Sequence, residues 1–275
     1  MTALILVSGV FGLLVGSFLN MVIYRLHTGE SMTLARSHCT RCKRTLAWYE
    51  LVPIASFFTL GTRCRTCKRP IAWGYPLVEA ITAGLFMVAT WRALVLIPDA
   101  TSLVFWAYLS LVLAILSGLI VIFVYDLQHY IIPDKVLAPI TAAAAALTVL
   151  WAGHIFGVSL EAAVLIGEHI AAAVAAFVFF FSLYYLSDGR WMGLGDVKLV
   201  VFIGLFVGLP EVATALFVAF VSGAIIGVVL IVAKRKRLKS RIPFGPFLVV
   251  ASMLAFWWGE QMFDWYFFQL FSISA

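Results

Sequence analysis

Two kinds of residue in this chain have the type and spacing to do chemistry. The first is cysteine: all four fall in one polar stretch, as Cys39-x2-Cys42 and Cys64-x2-Cys67, with 21 residues between the pairs. A C-x2-C pair presents two thiolates from one tight turn, and two such turns make a closed tetrahedral site for a soft or borderline cation. Zinc is the expected occupant, in a structural role, because four protein ligands leave no open coordination position. Iron also suits a tetrathiolate set. Disulfides are disfavoured, because the charge pattern described below puts the loop on the reducing side of a membrane. Arg41, Lys43, Arg44, Arg63, Arg65, Lys68 and Arg69 surround the pairs, where they can offset a negative metal centre or face anionic lipid headgroups.

The second kind is carboxylate, which is scarce. Asp126 ends a long apolar run, and Asp196 opens another after the segment Met192-Gly193-Leu194-Gly195. Two aspartates brought together at a membrane border can share one proton, one acting as general base on water while the other donates to a peptide carbonyl. Such a pair titrates as a unit. Gly193 and Gly195 would let the backbone turn sharply and approach a substrate. The alternative for Asp196 is a helix N-cap or first-turn acid. Asp134, after Pro133, reads as the N-cap of a following helix, and Asp188-Gly189 as a turn. Asp126 with His129 and Tyr130 could instead form a polar cluster if the helix continues past residue 126.

The elements that must position these groups follow from composition. Of 275 residues, 64% are hydrophobic and 12% charged, and the mean hydropathy is +1.06, which excludes a soluble globular enzyme and a disordered chain. The fold class expected is an all-α polytopic membrane protein with about eight transmembrane helices. The apolar runs are 3–24, 77–97, 102–125, 136–152, 161–187, 197–209, 211–233 and 244–263. The run 197–209 is the shortest, and a re-entrant segment is its rival reading. Glu168 and His169 are expected at an interface, with the fifth crossing starting near residue 170.

The 19 Lys and Arg residues test this arrangement. Nine lie between Arg25 and Arg69, six in the run Lys234, Arg235, Lys236, Arg237, Lys239 and Arg241, and three are Lys135, Arg190 and Lys198. With the N-terminus outside and eight crossings, all eighteen fall on one face, which the positive-inside rule makes cytoplasmic. Arg92 alone falls within a span, near enough to its outer end to snorkel. The net charge of +6 is thereby explained by topology, and no nucleic-acid partner is expected. The first run lacks a basic n-region and a cleavage site, so it reads as a retained helix. The expected organisation is a first transmembrane helix over 1–25, a cytoplasmic four-cysteine loop over 26–76 and a membrane core over 77–275.

Taken together, the motifs resemble the bacterial type IV prepilin leader peptidase and N-methyltransferase family, aspartic endopeptidases of the G-x-G-D type. They are GSFLNMVIYRL at 16–26, the four-cysteine segment through VE at 37–79, DLQHYIIPD at 126–134, GLGDVKL at 193–199 and IPFGPFL at 242–248. The resemblance implies that Asp126 and Asp196 are the catalytic pair and that Cys39, Cys42, Cys64 and Cys67 bind zinc. It implies a bacterial inner-membrane enzyme with its site at the cytoplasmic face, acting on type IV prepilins or pseudopilins. It also implies methylation of the new N-terminus from S-adenosylmethionine. No G-x-G-x-x-G fingerprint places that donor. Candidates by family match are Asn20, Arg25 and Glu79, each with a plainer reading: interhelical hydrogen bond, positive-inside anchor and first-turn acid. Two rival classes stand beside this one: an intramembrane aspartic protease without methyltransferase activity, and a proton-coupled transporter with acids near the midplane.

Overall fold

In lipid a backbone can satisfy its own polar groups only as a helix or a closed barrel. The computed structural model accordingly turns every apolar run into helix, and no strand longer than an isolated bridge occurs among the described residues. It describes residues 1–31, 36–234 and 242–271, with side chains up to 265. Of the expected basic run 234–241, all but Lys234 lies outside the described residues. The helices are α1 (Thr2–Thr28), α2 (Ala55–Thr59), α3 (Gly74–Leu96), α4 (Leu103–His129), α5 (Asp134–Phe156), α6 (Leu160–Leu186), α7 (Leu194–Val207), α8 (Glu211–Val232) and α9 (Gly245–Phe271). Six of them, α1, α3, α4, α5, α6 and α8, are long and apolar enough to cross a membrane. This qualifies the expectation of eight crossings. The seventh candidate, α7, has 14 residues, about 21 Å at 1.5 Å per residue, short of a hydrocarbon core of about 30 Å. The eighth, α9, carries Glu260 and Asp264 in its second half.

The chain divides into two compact units, Met1–Val121 and Ile122–Ala275. In the first, α1 packs along α3. The contact runs through small residues: a Cβ on Gly12 would lie 2.7 Å from the Ala83 Cα, and one on Gly16 2.7 Å from the Glu79 Cα. Small residues at such a seam let two backbones gain dispersion contacts where lipid removes the hydrophobic drive between helices. Leu6, Val10, Leu14 and Phe18, spaced one helical turn apart, remain exposed on α1 as a lipid-facing stripe. Gly29, at φ 73°, ends the helix by returning its N–H to the Arg25 carbonyl.

In the second unit α7 is the interior element, contacted by α5, α6 and α9. Val197, Leu199, Val200, Phe202, Ile203 and Phe206 are all buried. The α6–α7 approach is closest at Gly204, whose Cβ would sit 2.4 Å from the Ala173 Cα. Near the end of α7 the Leu205 carbonyl accepts from His169 Nδ1 at 2.8 Å and lies 3.1 Å from the Thr148 hydroxyl. The fifth apolar run therefore starts at Leu160, and His169 is a packed side chain of α6. The helix thus begins ten residues before the expected start of the crossing, and the polar contact holds the half-buried imidazole against α7. Ser159 caps the same helix by accepting from the Ala162 N–H.

Valine at position 204 has no room against the α6 backbone, whereas a Cβ at Gly167 meets nothing within 4 Å. Gly204→Val is expected to lower stability by about 1–3 kcal/mol or more, and Gly167→Val to leave it nearly unchanged. Thermal unfolding of the two variants in detergent measures the difference.

Candidate active site

Asp126 sits in the last turn of α4, before the helix ends at His129 and Tyr130 turns away at φ 58°. Its side chain is 4% exposed. The backbone N–H of Gly245, the first residue of α9, donates to its carboxylate. A Cβ at position 245 would come 2.5 Å from Asp126 Oδ2, so that approach requires glycine. Asp196 lies in the first turn of α7 and is half-buried. Its Oδ2 accepts from the Gly193 N–H at 3.3 Å, and it is close enough to Asp126 to interact with its charge. The Ile132 side chain fills the space beside both Gly195 and Gly245. Two carboxylates far apart in sequence thus lie within range of each other's charge, one at the end of a helix and one at the start of another.

The other acids are engaged elsewhere. Asp134 is the first residue of α5, with Pro133 as its cap, so the expected N-cap is shifted by one residue. Its carboxylate pairs with Lys198 at 2.8 Å on an exposed surface. Asp188 and Gly189, at φ 51° and 71°, form the expected turn after α6. The His129 ring lies tilted against Tyr125, with centroids 4.6 Å apart, and the Tyr130 N–H donates to the Asp126 carbonyl.

The four cysteines converge, their sulfurs all within 4.8 Å of one another. Cys39 Sγ and Cys67 Sγ are 4.0 Å apart, and all four are free thiols. Zinc at about 2.3 Å from each sulfur requires sulfurs about 3.8 Å apart, so the donor set fits a tetrahedral cation. The two pairs occupy equivalent loops. Cys39 N–H donates to the Arg44 carbonyl and Lys43 N–H to the Cys39 carbonyl; 25 positions later Cys64 N–H donates to Arg69 and Lys68 N–H to Cys64. Lys43 and Lys68 share φ values of 57° and 56°. The sequence carries this repeat as SHCTRCKRTLAW at 37–48 and TRCRTCKRPIAW at 62–73. Backbone N–H groups of Cys67 and Thr66 aimed at its sulfur pull the Cys64 thiol down, while burial and the neighbouring cysteine sulfurs push Cys67 up, as for thiols close enough to titrate together. Arg44 bridges the Cys64 sulfur and Glu50, meeting the Glu50 carboxylate at 2.7 Å.

Asn20, Arg25 and Glu79 line one cavity of ≈ 390 Å³ in the first unit, together with Tyr24, Tyr75 and the metal loop. The Asn20 amide donates to the Tyr75 carbonyl at 3.0 Å, which is the interhelical bond expected of its plainer reading. Glu79 is 8% exposed and lies in the second turn of α3, so it is not a first-turn acid; its Oε2 accepts from the Ile54 N–H at 2.7 Å.

Comparison with known proteins adds the following. Residues 10–93 match the bacterial Peptidase A24 N-terminal domain, and residues 111–228 match the type IV leader peptidase family. A prepilin leader peptidase/N-methyltransferase of Legionella pneumophila is 31% identical over 95% of this chain and 93% of its own length. Proteins of the same description from Pseudomonas putida and Bacillus subtilis (strain 168) are 31% and 30% identical, each over 94% of this chain and over 92% and 95% of their own lengths. No solved structure matches.

Metal analysis of purified protein is expected to find about one divalent cation per chain, lost when Cys39→Ser and Cys42→Ser are combined. Metal retained by that double variant would place the ion elsewhere.

Proposed function

The chain belongs to the type IV leader peptidase family, and from that membership we propose that it removes the leader of type IV prepilins or pseudopilins with Asp126 and Asp196 as its catalytic pair. What supports the assignment of residues is that these two carboxylates lie within range of each other's charge, each anchored by a glycine N–H. In the reaction proposed, the pair holds one proton. The ionised member takes a proton from water as the water oxygen attacks the scissile carbonyl, and the protonated member donates to the carbonyl oxygen. Collapse of the tetrahedral species breaks the C–N bond, and the departing nitrogen takes a proton back from the pair. A prepilin would keep its apolar helix in the bilayer and its leader in the cytoplasm, with both aspartates at the cytoplasmic border of a multi-pass inner-membrane protein. A transporter reading is disfavoured by the position of these acids at helix ends.

The second activity proposed is N-methylation of the new N-terminus. The cavity lined by Asn20, Arg25 and Tyr75 has a volume in the range of small-molecule sites and is the proposed donor site. S-adenosylmethionine would supply the electrophilic methyl group there. The residues of the cavity would bind and orient the donor, and the tetrathiolate loop, with zinc as its proposed metal, would shape one wall.

Asp126→Asn or Asp196→Asn is expected to abolish cleavage of a prepilin-like substrate while the protein still inserts, with Asp134→Asn and Asp188→Asn losing much less. Gly245→Ala should behave like Asp126→Asn, because its methyl group displaces Oδ2. Robust turnover by Asp196→Asn would refute the pair.

Cleavage and methylation should also separate. Asp126→Asn is expected to block methylation of full-length substrate and to spare methylation of substrate cleaved beforehand. Wild-type protein that cleaves and never transfers a methyl group would leave a peptidase alone.

A further inference from the structure

We propose that Glu79 is a positioning residue: its carboxylate holds a positive-φ γ-turn at Ile54 and thereby seats the metal-binding loop on the α1–α3 pair. Ile54 lies at φ 58° and ψ −52°, and the Ala55 N–H returns to the Pro53 carbonyl across it. This γ-turn form is rare and strained, and for a β-branched residue positive φ is a marked outlier. Such a conformation persists only where its surroundings over-determine it. Here the Ile54 N–H is taken by Glu79 Oε2 at 2.7 Å. Glu79 is in turn fixed by the Ser17 hydroxyl on α1 and by the close passage of α1 at Gly16. One buried carboxylate therefore joins α1, α3 and the loop.

The consequence travels to the second cysteine pair through a short series of contacts. Ile54 caps α2, and its carbonyl accepts from the Phe57 N–H. The Phe57 carbonyl accepts from Thr62, whose own carbonyl accepts from Ile71 in the pairing that closes the loop around Cys64 and Cys67. Buried Phe57 also meets the Trp73 ring edge-on at 4.8 Å. A loosened turn at Ile54 should therefore weaken the grip of that loop on its metal. This role needs an acceptor oxygen at the right distance and does not need a negative charge. It is also independent of the cavity's assignment to a methyl donor, since neither readout below involves that ligand.

The test follows zinc release from the full-length protein to a chromophoric chelator, alongside thermal unfolding. Glu79→Ala is expected to speed release about tenfold and to lower the unfolding temperature, because it leaves the part-buried Ile54 N–H without its acceptor. Glu79→Gln keeps the acceptor and should stay within about twofold of wild type on the same scale. Adding Ile54→Gly to Glu79→Ala should restore most of the loss, because glycine adopts this φ without strain. If Glu79→Ala does not accumulate, Glu79→Asp replaces it: the shorter reach should give the defect, with charge retained. A Glu79→Gln variant as defective as Glu79→Ala, an Ile54→Gly change that suppresses nothing, or a Glu79→Asp variant indistinguishable from wild type would each overturn the proposal.

Discussion

Carboxylates in a chain this apolar must find donors inside the protein, and the donors most readily at hand are the first amides of helices, which have no partner within the helix itself. Four acids use this one solution. Asp126 takes the N–H of Gly245 at the start of α9, Asp196 that of Gly193 before α7, and Glu79 that of Ile54 before α2. Glu50 takes that of Ala47, which precedes a short 3-10 turn over Trp48–Leu51. At α7 and α9, which are long enough to carry a dipole, the positive end of the helix also favours the negative charge. Polar placement in this protein therefore follows from where helices begin, and the short loops that start them carry as much information as the long spans.

This explains what could be read from sequence and what could not. The cysteine pairs were legible because ligand spacing within a turn is a local property. Asp126 and Asp196 stood out because acids are rare in apolar surroundings, and the G-x-G-D motif marked one of them. That each lies within range of the other's charge is a long-range fact, invisible to spacing. The same holds for Gly245, which periodicity would pass over as an ordinary helix start before Pro246. The apolar run at 197–209 looked like a short crossing because hydropathy cannot distinguish a lipid-facing helix from one sheathed by protein. The partner of His169, the Leu205 carbonyl, could not be read from spacing because another helix supplies it. The repeat joining 37–48 to 62–73 was present in the letters throughout, but its backbone correspondence, down to paired lysines in the left-handed region, became evident only from the hydrogen bonds.

The two chemical centres belong to different structural units. The tetrathiolate loop and the cavity are built from the first, and the aspartate pair from the second. Their supports also differ in kind. The first depends on small residues along the α1–α3 seam and on a turn held by Glu79. The second depends on a short interior helix, α7, whose hydrophobic surface is almost wholly covered by its neighbours.

The position of α9 has a consequence for the order in which the protein is made. A helix of 14 residues has little reason to partition into lipid alone, and α7 finds part of its cover only on α9. The amide that receives the Asp126 carboxylate belongs to the same last helix. On the ribosome, α4 and its aspartate leave the exit tunnel long before that amide exists. The nascent chain therefore carries Asp126 through the synthesis of more than a hundred residues, and Asp196 through about fifty, before the amide that receives the Asp126 carboxylate exists.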